Sequence, residues 1–115
     1  AITHATVGAS EVPLGVLEAC PEVIELCREV ARIGLQASLS DAGVGAQMAR
    51  AAAAGAYQNV CINLGGLTDK ARATLLTRAD AAWLEVQQLH AIAEKETLVA
   101  LRQTLSEAKS QPRRS

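Results

Sequence analysis

Aromatic residues are almost missing from this chain: its 115 residues include no Phe, one Tyr (Tyr57) and one Trp (Trp83). A core without rings has to be built from Ala, Leu, Val and Ile, which points to packed helices and away from a β-sandwich. An excess of one charge is also lacking, with 11 Lys and Arg against 12 Asp and Glu. A net charge of −1 supplies no electrostatic ground for expecting nucleic acid or an anionic membrane as partner. No apolar run reaches the ~20 residues of a membrane span, and no charged-then-apolar signal segment opens the chain. The expectation is a soluble, cytoplasmic protein of one domain or less, with a modest core. Metal-like C-x-x-C spacing is absent as well. Cys20 and Cys27 lie two turns apart on one helix face, about 10 Å, too far to bridge. Together with Cys61 they are expected to be buried, reduced thiols.

What the chain does have is a stretch of small residues, Ser40 to Leu64, that runs without a proline. Ser40-Asp41 reads as a helix start, the serine oxygen meeting an orphan N–H and the carboxylate the positive helix end. Between Ala42 and Ala56 almost every residue is Gly or Ala, and only Val44, Gln47, Met48 and Arg50 offer bulk. Such a helix cannot make a core from its own side chains, but it lets neighbouring backbones come close. Asp41, Tyr57, Gln58, Asn59 and Asn63 stand out against it, because amides in an apolar segment need partners.

Either side of this stretch the pattern is helical too. Ala1 to Ala9 reads as the end of one helix, with His4 a surface or satisfied residue. Glu11-Val12-Pro13 reads as a boundary, Pro13 opening a helix to about Ile33. Its buried stripe is expected at Leu14, Leu17, Val23, Ile24, Cys27, Val30 and Ala31, with one backbone hydrogen bond lost at Pro21. Gly34 is placed as a C-cap and Leu35 to Leu39 as a short loop. Gly65-Gly66 marks a turn, and Thr68 or Asp69 caps a last helix uninterrupted by Gly or Pro until Pro112. Leu75, Ala79, Ala82, Val86, Leu89 and Ala93 recur at alternating steps of four and three, a helix seam. Trp83 packs beside it, and His90 is expected on its solvated edge. That helix would be about 60 Å long, long enough to suggest packing on a second subunit. Gln111 to Ser115 is expected to be a flexible tail.

Three groups of residues carry a resemblance: Ser40-Asp41-Ala42-Gly43-Val44, then Gly55-Ala56-Tyr57-Gln58-Asn59-Val60, then Ile62-Asn63-Leu64, with Glu11-Val12-Pro13-Leu14 upstream. In order and spacing they resemble the cyclodeaminase/cyclohydrolase family of one-carbon folate enzymes. The family's N-terminal Gly-rich segment, of the type P-G-G-G-S, has no counterpart here. Residues 1–115 therefore correspond to the C-terminal portion of that helical domain. The resemblance implies an all-α fold, a multihelical bundle with long helices in an intertwined homodimer. It also implies a folate substrate without metal or redox cofactor. Two related reactions are implied: closure of 5-formiminotetrahydrofolate to 5,10-methenyltetrahydrofolate with loss of ammonia, or interconversion of the methenyl form with 10-formyltetrahydrofolate by water. Both pass through a tetrahedral carbon between two nitrogens, which calls for proton transfer and hydrogen bonding.

With that family in view, Asp41 either steers a proton or pairs with the donor edge of the pterin, the alternative being a charge for the first helical turn. Glu11 is a general base or a boundary carboxylate. Asn59 and Asn63, one turn apart, hold the pterin or formimino group or else bond between helices, and Tyr57 belongs to the same binding set. Arg50 meets the glutamate tail of folate or is simply solvated. Asp41 and Asn59 share a helix face but stand about 27 Å apart, so a single site using both needs an antiparallel copy of this helix. The competing reading is a catalytically silent helical dimerisation module. A reduced-folate titration separates the two.

Overall fold

The computed structural model describes the backbone of residues 2–33 and 36–110, and the side chains of residues 8–33 and 38–108. Three helices fill it: α1 (Ile2–Ile33), α2 (Gln36–Leu64) and α3 (Asp69–Ser110). No strand occurs among the described residues, so the chain is an all-α bundle. The helices run up, down and up in a rod 72 × 19 × 19 Å. The pairs Glu18–Arg78 and Arg28–Glu96 show α1 and α3 to be parallel. The C-cap expected at Gly34, the His4 side chain and the tail from Gln111 lie outside the described residues.

The centre of the rod is α2, and its sequence explains the rod's narrow section. Ala42, Ala46, Ala49, Ala53, Ala56, Val60 and Leu64 form its buried seam. A seam of methyl groups lets α1 and α3 approach at the short end of helix–helix distances, roughly 8 Å between axes. The bulk missing from α2 is supplied by Leu14, Leu17 and Ile24 of α1 and by Leu75 and Val86 of α3. The α3 seam from Leu75 to Ala93 faces the core as its spacing predicts. Trp83 packs beside it.

The turn after α2 is also as expected. Thr68 Oγ1 accepts the Ala71 N–H at 3.3 Å, the N-cap of α3. Arg72 reaches back to donate to the carbonyls of Leu64 (3.2 Å), which also accepts the Leu67 N–H, and of Leu67 (3.1 Å), tying the start of α3 to the turn after α2.

Several boundaries differ from the sequence expectation. Helix α2 begins at Gln36, not at Ser40, so residues 36–39 are helical where a loop was expected. Leu39 is buried, and that contact draws the extra turn into the bundle. Asp41 consequently lies in the second turn and does not cap the helix. The boundary expected at Glu11-Val12-Pro13 is absent, and α1 is one element through both Pro13 and Pro21. Each proline removes only its own N–H, and packing along the whole of α1 holds the helix together across the gaps. Two residues assigned to the buried α1 stripe, Val23 and Val30, are 43% and 46% exposed. They line an open groove beside α2, which leaves each of them partly uncovered.

Candidate functional site

The side of the rod formed by α1 and α2 carries two grooves. The larger, about 520 Å³, is walled by Val12, Pro13 and Val16 of α1 and by Gly55, Asn59 and Asn63 of α2. Its floor is small because α2 contributes no bulk there, and its one polar end is the pair of amides. Asn63 donates to the Asn59 carbonyl at 2.8 Å within the helix. Among the described residues nothing engages the Asn59 amide, which is exposed. The second groove, about 300 Å³, lies towards the other end of the same side, between Val23, Leu26, Cys27 and Val30 of α1 and Asp41 and Ala42 of α2.

Asp41, Asn59 and Asn63 therefore do share one face of α2, but they belong to separate grooves at its two ends, about 27 Å apart along the helix. Between and beside the grooves the surface is apolar and uncovered, with Val12 at 74%, Met48 at 67% and Ile62 at 81% exposure.

The other site residues expected from sequence point elsewhere. Glu11 lies in a third groove, between α1 and α3, with Lys70 and Arg78. Tyr57 and Arg50 face α3. The Tyr57 ring stacks on Trp83 with centroids 6.0 Å apart and planes at 24°. The Arg50 guanidinium sits over the Trp83 ring at 5.8 Å, a cation–π contact. The Tyr57 hydroxyl donates to Asp80 Oδ1 at 2.5 Å. That carboxylate, then burial, then the neighbouring Cys61 push the phenol well above its ordinary range. Tyr57 and Arg50 thus join α2 to α3 on the side away from the amide groove.

One polar cluster was not anticipated. His90 is buried, not solvated, because its ring enters the α2–α3 interface, where Gln47 of α2 meets it. Its Nε2 lies 2.7 Å from Gln47 Oε1, whose Nε2 donates to Glu94 Oε2 at 2.5 Å. The four-residue spacing of His90 and Glu94 was visible in the sequence; that Gln47 faces them was not. The thiols also differ from expectation: Cys20 is buried and Cys27 half-buried, but Cys61 is exposed, and all three are free. Among the described residues no group of three or more His, Cys, Asp or Glu is placed to hold a metal ion. No helix among them is long and apolar enough to cross a membrane.

A parallel-antiparallel helical bundle with an alanine-seamed centre and an amide-ended groove on its α1–α2 side is the class these features define. The sequence profile of the formiminotransferase-cyclodeaminase family matches residues 1–81, which include all of α1 and α2. The chain belongs to that family. It is also similar to a methenyltetrahydrofolate cyclohydrolase of Methylorubrum extorquens, 42% identical over 70 residues. Those residues are 61% of this chain and 34% of the relative, so the match spans about a third of that relative's length.

Proposed function

We propose that this chain supplies one part of a folate one-carbon site, and that the reaction is the hydrolysis of 5,10-methenyltetrahydrofolate or the related closure of the formimino form. The observation that carries the reading is the groove ending in Asn59 and Asn63, inside the stretch matched by the family. The cyclohydrolase reaction is favoured by the name of the similar bacterial protein. In it, water adds to the carbon between N5 and N10 and releases a proton. The remaining hydroxyl then loses its proton as the N5–carbon bond breaks, which leaves the formyl group on N10 and the electron pair on N5; N5 takes up a proton, so one proton is released overall.

In this reading the Asn59 and Asn63 amides hold the pterin edge and Asp41 accepts the proton of the attacking water. Since 27 Å of helix separates them, the two roles meet only across a second copy of the chain, laid antiparallel on the α1–α2 side. The uncovered Val12, Val16, Leu26 and Met48 supply the apolar surface for such a homodimer. Glu11, among Lys70 and Arg78 on a different side, would act outside this site. Arg50 and Tyr57 support the binding helix from behind. On the same grounds the protein is read as a soluble cytoplasmic enzyme, and the chemistry calls for no metal or redox cofactor.

A second reading, a helical assembly module without catalysis, is favoured by the apolar Val12, Leu26 and Met48 left uncovered on the α1–α2 side. Titration with 5,10-methenyltetrahydrofolate, following its absorbance, decides between them. Binding and turnover that fall in Asn59→Ala and Asp41→Asn support the enzyme. A well-folded dimer that neither binds nor turns over the folate supports the module.

A further inference from the structure

Glycine inside a helix is disfavoured relative to alanine, so each one in α2 calls for a reason. Two have it within the chain. A Cβ at Gly43 would stand 2.8 Å from Thr97 Cγ2, and one at Gly45 would stand 3.0 Å from Cys27 Sγ. These glycines exist so that α3 and α1 can close on α2. Gly55 has no such reason: a Cβ there would meet nothing within 4 Å. It lines the amide groove, one turn before Asn59 and two before Asn63, so all three project along one line of the helix. A methyl group at this position would stand in the groove and touch only an occupant.

We propose that Gly55 is a specificity-determining residue of the groove: its bare backbone lets a planar pterin ring lie against α2 within reach of the Asn59 amide. This rests on the folate reading above and adds to it the position that gauges the thickness of the ligand. Close approach of a flat ring to backbone is an established use of glycine, since any side chain would hold the ring off by the width of a carbon. The groove's remaining α2 lining beside the amides, Ala52 and Ala56, is nearly as low. Gly55 is thus the lowest point of the floor, and a methyl group there would fill it to the height of its neighbours.

The test uses the full chain and four proteins: wild type, Gly55→Ala, Gly55→Val, and Gly15→Ala as a control. Gly15 also has open space around it and does not line the groove. Thermal unfolding, the state of association and the affinity for 5,10-methenyltetrahydrofolate are measured for each. Both alanine variants should raise Tm by about 5 °C through helix propensity alone. Gly15→Ala should bind the folate as wild type does, Gly55→Ala should bind at least tenfold more weakly, and Gly55→Val should not bind. Unaltered affinity in Gly55→Ala, with wild type binding, overturns the role of Gly55 and leaves the folate reading standing. A fall in Tm for Gly55→Ala shows an internal packing duty and overturns it too. So does a loss of dimer in Gly55→Ala with affinity intact, which would make a protein surface the occupant. Absence of binding by wild type overturns the folate reading and this role with it.

Discussion

Replacing Gly43 by alanine places a methyl group 2.8 Å from Thr97 Cγ2, where carbon atoms prefer about 3.5–4.0 Å. Thr97 is buried and β-branched, so its side chain has little freedom to turn away. Overpacking of this kind costs about 1–3 kcal/mol. Against it stands the gain from alanine over glycine in a helix interior, roughly 0.5–1 kcal/mol. Gly43→Ala should therefore lose up to about 2 kcal/mol, a fall in Tm of about 4–8 °C per kcal/mol for a domain of this size. Thr97→Ser alone removes one buried methyl and should cost about 0.8 kcal/mol. In the double variant the new methyl fills the space that the old one leaves. Its stability should return to within roughly 0.5 kcal/mol of wild type, giving a coupling of about 1–3 kcal/mol between the two positions. Thermal and urea unfolding followed by helical circular dichroism, at one fixed protein concentration, measures all four corners of the cycle. Additive effects within about 0.5 kcal/mol would refute the claim that α2 and α3 are held in contact at this glycine.

The raised Tyr57 phenol carries a pH dependence with a definite sign. The folded protein keeps the proton to higher pH than the unfolded chain, so this contribution is intact below the ordinary value of 10.0 and is lost as pH rises above it. Urea unfolding between pH 9 and 11.5 should show stability falling above about pH 10, with a weaker slope in Tyr57→Phe. Thiol titration should separate the cysteines: Cys61 is exposed and should react first. Cys20 is buried, donates to the Val16 carbonyl at 3.2 Å and has its thiol pushed up by burial, so it should react only on unfolding. Arg28 binds Glu96 at 2.6 Å and Glu25 at 2.7 Å, tying α1 to α3 in a partly buried position. Arg28→Gln should cost about 1 kcal/mol in unfolding experiments, and an equal loss in Glu96→Gln with no further loss in the double variant would identify that pair as the cause.

Of the candidate site, the sequence carried the residue types and the face but not the company they keep. Asp41, Asn59 and Asn63 follow one another at helical spacing, so their shared side of α2 could be read from the period alone. Tyr57 and Arg50 lie in the same stretch, yet they turn to Trp83 and Asp80 because those residues belong to α3. Gly55 looked like one more small residue in a run of them. It separates from Gly43 and Gly45 only when the space around each is known.

The chain's own order of residues was enough to determine that the fold is all-α, where the turn before α3 falls and which line of α3 faces inward. Those properties come from local chemistry: glycines at 65 and 66, a threonine oxygen at 68, and an apolar step of three and four. Tertiary structure alone decided that Leu39 draws α2 one turn longer, that α1 runs unbroken through two prolines, that Val23 and Val30 stay outside and that His90 goes in. Periodicity names the sides of a helix, but burial belongs to whichever neighbour arrives to cover one of them, and that neighbour lies far along the chain.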